Sequence, residues 1–239
     1  MFFVTFTTGN YTDMTRNLVT NFEKVLAPCG HKLILICMDV QAEANLSYCK
    51  ELPWIVMSSR NLNDQSQIST FDSPSFNKLN SFKPMLLREL IETHDELYWI
   101  DSDLVFYQDP VPDILAANTE LIFQQDNDRD EDRICTGNFY MKKTDGVLKF
   151  FDTWLDALSK QPGKNEQLLL NHLIHSTYGG IRSVPWVNIS VFPPEKYQRG
   201  LDAFRHGWHT RSDKVVVHAN FMEGFETKKN ALKSIGMWY

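Results

Sequence analysis

The stretch ELYWIDSDLVFYQDP, residues 96–110, decides the fold. Its aromatic and apolar residues predict a buried strand over 96–106, interrupted by Asp101-Ser102-Asp103. On an extended strand, side chains two apart share a face with Cα atoms roughly 6.5–7 Å apart, so Asp101 and Asp103 are expected to point together at the sheet's C-terminal edge. Ligands of open parallel sheets bind outside those strand ends. Two carboxylates there, beside apolar runs where unpaired charge is costly, suggest a cation site. The plain alternative is a polar strand end.

On either side the chain alternates strands and helices. FFVTFT (2–7) runs into the loop 8–13 and a helix carrying Leu18, Val19, Phe22, Val25 and Leu26. KLILICMD (32–39) reads as a second buried strand, and the Ser/Asn/Asp/Gln-rich segment 58–80 as a surface excursion. A helix over 77–93 feeds the strand at 96–106. Two strand-helix units predict an α/β fold with a Rossmann-like, mostly parallel central sheet flanked by helices. Farther on, strands are expected at 120–124, 137–142 and 214–218, and helices at 145–159, 166–176 and 226–235. The region 185–208, dotted with Pro and Trp, reads as irregular, so the C-terminal half is loop-rich. No repeat or linker interrupts the chain, which predicts a single domain over 1–239.

Composition narrows the function classes. The 239 residues carry 24 Lys+Arg against 30 Asp+Glu, a formal net charge of −6, with 43% hydrophobic residues. That apolar share supports a sizeable core. The acid surplus argues against partners such as nucleic acid or an anionic membrane, which call for a basic face. The longest apolar run, 33–38, is far short of a span, and no basic-then-apolar leader precedes Phe2. The expectation is a protein that is cytoplasmic or otherwise soluble, or a trimmed catalytic domain. Cys29, Cys37, Cys49 and Cys135 form no C-x-x-C pair and read as free thiols. The Asn-x-Ser/Thr triplets at Asn10, Asn45 and Asn188 read as chance.

A second constellation lies in VVVHANFMEGFETKKNALKSIGMWY, residues 215–239. His218 ends an apolar strand, Gly224 allows a tight backbone approach, and Lys228 sits in a predicted helix. An imidazole with two carboxylates suits Mn²⁺, with Mg²⁺ as the harder competitor. Such a cation bridges phosphates, and Lys228 adds a point charge for a diphosphate. Taken singly, His218 could be a core histidine and Lys228 a solvated lysine.

Five segments in order then resemble one family. Lys83 in SFKPMLLREL, the IDSDLVFYQDP element, TGNFYMKKT (136–144), NEQLLLN (165–171) and HANFMEG…K…GMW (218–238) look like the nucleotide-diphospho-sugar transferases, glycosyltransferases of the GT-A fold. The resemblance implies a metal-dependent transferase that moves a sugar from a nucleotide-sugar donor, UDP-linked in kind, to a hydroxyl of a glycan or glycoconjugate acceptor, with 1–110 as the nucleotide-binding half and 111–239 as the acceptor-binding half. By analogy Asp101, Asp103 and His218 hold Mn²⁺, while Gly224 and Lys228 contact the diphosphate. Asn10 and Tyr11 stand where related enzymes hold the nucleoside, and Thr8, Ser102 and Lys83 are the remaining donor-side candidates. The acid before the second-half helix is Glu166 where the family commonly has Asp, while Gln167 matches.

Retention of configuration, which the resemblance implies, needs a positioned acceptor and a polar neighbour, for which Gln167 and Asn138 are the candidates. An inverting reaction would need a carboxylate base, and Asp126 or Asp128 is available. Trp186, Tyr197, Trp208 and His209 could form an acceptor platform or pack in the core. The rival readings are a metal-dependent phosphodiesterase or nucleotidyltransferase and a non-catalytic carbohydrate-binding protein.

Overall fold

The computed structural model describes residues 1–60, 71–126 and 133–239. The chain forms two compact units: Met1–Ile68, Trp99–Pro112 and Pro193–Tyr239 make the first, Ser69–Tyr98 and Asp113–Phe192 the second.

In the first unit, β1 (Phe2–Thr7) and β2 (Lys32–Cys37) are built from β-branched, aromatic and aliphatic residues and pair in parallel, Phe2 opposite Lys32. A third strand, β3 (Ile55–Ser59), extends this sheet, again in parallel, with Leu33 opposite Ile55. The parallel connection between β1 and β2 is α1 (Thr12–Val25), whose Met14, Leu18, Val19 and Phe22 are buried. Asp13 in its first turn and Lys24 in its last complement the helix dipole. Phe3 meets Phe22 and Phe106 edge to face, with ring centroids 5.4 and 5.7 Å apart. Burying each such ring contributes about 1.5–3 kcal/mol.

Asp39, just beyond β2, caps the short helix α2 (Val40–Asn45) by accepting from the Ala42 amide at 2.7 Å. The same carboxylate accepts the Gly9 amide, at 2.9 Å to Oδ2. The loop after β1 is thereby fastened to the end of β2. A Cβ on Gly9 would lie 2.7 Å from Gln41 Cβ, so the close approach excludes a side chain there.

The second unit holds α3 (Pro74–Asn80), α4 (Phe82–Ile91) and most of β4 (Glu96–Ile100). The helix expected over 77–93 is therefore two helices. Pro84 has no amide to donate to the Asn80 carbonyl, and Ser81 Oγ donates instead to the Lys78 carbonyl at 2.7 Å, so the chain re-aims at Ser81.

After α5 (Val111–Ala117), β6 (Leu121–Gln125) pairs antiparallel with β7 (Ile134–Lys142). Next come α6 (Asp145–Lys160) and α7 (Glu166–Leu173), the latter unwinding through a π turn at Ile174–Tyr178 to Gly179 at φ 76°. The region expected to be irregular contains β8 (Ile189–Val191), parallel to β6.

The strand expected over 96–106 is likewise broken. β4 stops at Ile100, Asp101 accepts the Leu104 amide at 3.3 Å in a turn, and β5 (Leu104–Phe106) starts anew. Asp and Ser favour turns because their side chains compete for backbone hydrogen bonds. β5 joins a small second sheet in the first unit, antiparallel to β10 (Val216–His218), which is itself parallel to β9 (Tyr197–Arg199). The final helix is α8 (Phe225–Ser234).

The four cysteines are free thiols, with only Cys29 exposed. Among the described residues, no helix is long and apolar enough to cross a membrane. The part of the expected surface excursion at 61–70 lies outside the described residues.

Candidate metal and donor site

Pairing of β5 with β10 sets Leu104 opposite His218, and the Ala219 amide donates to the Asp103 carbonyl at 3.0 Å. This register, not a shared strand face, brings the side chains together. Asp101, Asp103 and His218 each present a ligand atom, and these atoms all lie within 4.8 Å of one another. Asp103 is buried, as is His218. Its Oδ1 lies 3.2 Å from His218 Nε2, and its Oδ2 accepts from Lys228 Nζ at 2.6 Å. Asp101 is less buried and accepts from the Trp99 indole N–H at 2.8 Å.

The electrostatics follow from these contacts. Burial alone would raise the Asp103 pKa, but the Lys228 ammonium and then His218 outweigh it and hold the carboxyl well below the usual carboxylate range. Burial pushes the Lys228 pKa down, and the Asp103 charge more than reverses that, so it stands above an ordinary lysine. Tyr11 feels the same group of charges: burial raises its phenol pKa, Lys228 opposes this, and Asp103 and Asp101 add to it. The residues therefore present a concentrated negative charge with two oxygen donors and one nitrogen donor, a set that fits a borderline-hard divalent cation.

Lys228 is delivered by α8. Gly224, at φ 79°, opens that helix in a conformation most residues avoid, and its carbonyl accepts the Lys228 amide at 3.3 Å one turn later. One turn on, along the same face of α8, Leu232 is buried in a cluster with Met14, Val105, Val217 and Ala219, with Tyr11, Phe225 and Trp238 packed at the border. Tyr11 and Phe225 meet edge to face at 6.3 Å. Of the other donor candidates, Thr8 is buried and its carbonyl accepts the Tyr11 amide at 2.9 Å, Asn10 is exposed, and Ser102 is partly exposed in the turn.

Several positioning residues escaped the sequence reading. Asn21 of α1 donates to the Phe106 carbonyl at 3.0 Å and accepts the Phe106 amide at 2.7 Å, which fastens β5 to the core. Asn17 does the same for the C-terminus through Met237 and Tyr239. Asn220 accepts the Gly200 amide at 2.8 Å, and a Cβ on Gly200 would lie 2.0 Å from the Asn220 carbonyl. The signal for Asn17 and Asn21 was their place on the apolar side of α1, where an amide needs a dedicated partner.

The remaining candidates belong to the second unit. Lys83 is buried and donates to Glu166 Oε1 at 3.0 Å and to the Thr136 carbonyl at 3.1 Å, so it is neither a helix-surface lysine nor uncommitted. Glu166 Oε1 also lies 2.8 Å from the Thr136 hydroxyl, and Oε2 accepts the Gln167 amide at 2.8 Å. Gln167 accepts the Thr136 amide at 2.9 Å and donates to Asp126 at 3.2 Å. Asn138 is fully buried, with the Tyr98 hydroxyl as a polar neighbour.

Asp128 lies outside the described residues. Of the four residues read as an acceptor platform or as core, Tyr197 packs as core. Tyr197 is 1% exposed and presents no face to a ligand. Trp186 packs edge to face on Tyr178.

A model of the nucleotide-diphospho-sugar transferase family matches residues 30–232. The chain is 23% identical, over 73% of its length, to UDP-D-xylose:L-fucose alpha-1,3-D-xylosyltransferase 3 of Arabidopsis thaliana, covering 51% of that protein. It is 25% identical, over 96% of its length, to UDP-galactose:fucoside alpha-3-galactosyltransferase of Dictyostelium discoideum, covering 41% of it. The chain thus spans about half the length of the curated relatives it matches.

Among solved structures, it resembles the galactosyltransferase LgtC in complex with donor and acceptor sugar analogs, with a TM-score of 0.60 and 14% identity over 99% of this chain and 95% of that one. A glycosyltransferase involved in the glycosylation of the major capsid of PBCV-1 aligns with a TM-score of 0.60 and 12% identity, over 99% and 98% of the two chains. These likenesses show the expected fold, α/β of the GT-A type.

Proposed function

This chain belongs to the nucleotide-diphospho-sugar transferase family, and on that premise we propose that it transfers a sugar from a UDP-sugar to a hydroxyl of a glycan, with a divalent cation held by Asp101, Asp103 and His218. The observation that carries the reading is the convergence of those three ligand atoms within 4.8 Å, beside Lys228. The named relatives act from UDP-xylose or UDP-galactose on fucose or fucosides, so a fucosylated glycan is the first acceptor to test.

When bound, the cation supplies charge stabilisation to the departing diphosphate. Lys228 adds a positive charge where negative charge develops on the leaving group. Trp99 donates its indole N–H to Asp101 and so holds the rotamer of a carboxylate that would serve as a ligand of the cation. Tyr11 offers its ring to the uracil, and its packing on Phe225 holds the ring in place. Retention of configuration is part of the proposal, with Gln167 or Asn138 as the polar neighbour of the acceptor. Proton NMR of the product's anomeric signal tests that part.

The core of the reading is tested by incubating the protein with UDP-xylose, UDP-galactose or UDP-glucose and a fucoside, with Mn²⁺ or with chelator. Transfer, or slow donor hydrolysis, is expected with Mn²⁺ alone. Equal turnover in chelator would remove the metal from the account. Absence of both binding and turnover across the panel would remove the transferase reading.

A further inference from the structure

We infer that Lys228 is a built-in counter-ion of the metal site, which neutralises Asp103 until a divalent cation arrives and is then handed to the donor's diphosphate. The inference rests on the metal reading above and adds an order of events to it.

Asp103 is an ionised carboxylate in a buried place, and both of its oxygens are engaged, Oδ1 with His218 and Oδ2 with Lys228 at 2.6 Å. A charge so placed is costly without a counter-charge, and Lys228 is the nearest ammonium. A divalent cation gathered by Asp101, Asp103 and His218 would draw on the same carboxylate. Two cations within hydrogen-bond reach of one carboxylate repel each other strongly in a partly dry site. The cation and the ammonium therefore compete for Asp103.

Lys228 is able to yield. Its side chain keeps 21% of its surface exposed against 6% for Asp103, and it stands on a flexible four-carbon stem from α8. Displaced from Asp103, the ammonium is left near a carboxylate already satisfied, and an anionic diphosphate offers it a new partner. A nucleotide diphosphate thus helps the cation bind by taking Lys228 away, and the cation helps the nucleotide by freeing Lys228. Linkage requires the two effects to be equal.

The test is Mn²⁺ binding to the full chain without nucleotide, followed by electron paramagnetic resonance, in wild type, Lys228→Met and Lys228→Arg. With the competing ammonium removed, Lys228→Met is expected to bind Mn²⁺ at least about tenfold more tightly than wild type, while Lys228→Arg, which keeps the charge, stays close to wild type. Without metal, Lys228→Met should melt at a lower temperature than wild type, and saturating Mn²⁺ should close that gap. Adding UDP should tighten Mn²⁺ binding in wild type by a larger factor than in Lys228→Met.

If Lys228→Met binds Mn²⁺ no more tightly than a wild type that does bind it, the counter-ion role is overturned while the metal reading stands. If no form binds Mn²⁺, with or without UDP, both fall together.

Discussion

Each unit of the molecule contains a lysine hydrogen-bonded to a carboxylate, and the two pairs differ in how they are enclosed. In the second unit Lys83 and Glu166 are sealed, at 2% and 4% side-chain exposure, and their neighbours Thr136 and Gln167 add further hydrogen bonds to the pair. In the first unit Asp103 is almost as deeply buried, but the side chain of its lysine keeps 21% of its surface exposed, and the carboxylate is shared with a histidine and stands beside a second acid. The open pair is one displacement away from holding something else. Burial of the carboxylate does not distinguish the two pairs, whereas the exposure of its lysine does.

The largest expected effect is on the sealed pair. Lys83→Met leaves Glu166 charged and buried, and unfolding should become easier by about 3–5 kcal/mol, read by chemical denaturation. The double variant Lys83→Met/Glu166→Leu should recover much of that loss, because the stranded charge is gone. If Lys83→Met were neutral in stability yet impaired in donor binding, the pair would belong with the open class.

Next comes the orientation of the open site. Trp99→Phe removes the hydrogen bond to Asp101 while keeping most of the buried ring, so Mn²⁺ affinity should fall about 10- to 100-fold with little change in melting temperature. An unchanged affinity would show that Asp101 needs no such support.

A smaller effect is the pH dependence of stability. The Asp103 pKa is depressed by folding, so its contribution is complete above the ordinary carboxylate value of about 3.9 and declines as pH falls below it toward the depressed value. The Lys228 pKa is raised, so its contribution is complete below about 10.4 and declines as pH rises through the folded value. Denaturation of Asp103→Asn should therefore show a shallower loss of stability below about pH 4 than wild type. Parallel acid limbs would assign that loss to other carboxylates.

The same contrast explains what the sequence disclosed. Asp101, Asp103 and His218 were legible because polar residues ending apolar runs are conspicuous, and because a parallel α/β sheet puts strand ends at ligands. The premise used for the two aspartates was nevertheless wrong in detail: they lie on a turn between β4 and β5, and strand pairing with β10 brings His218 to them. The Lys83–Glu166 pair was invisible because its members are 83 residues apart and neither carries a local signal of its partner.

Trp99 read as core and is core, but the aim of its indole N–H toward Asp101 depends on where the strand ends. The overall α/β alternation was legible from runs such as FFVTFT and KLILIC. The split of the helix at Ser81 turned on one missing amide at Pro84, and short strands such as β8 and β9 carry too few residues to show a period.

The central claim is that Asp103 serves a cation that in turn holds a UDP-sugar. Its most direct test is thermal unfolding of wild type and Asp103→Asn with UDP-xylose or UDP-galactose, in Mn²⁺ and in chelator. The account predicts that the donor raises the wild-type melting temperature in Mn²⁺ alone and leaves Asp103→Asn unmoved in both. Equal stabilisation of the two proteins, or stabilisation that persists in chelator, would contradict it.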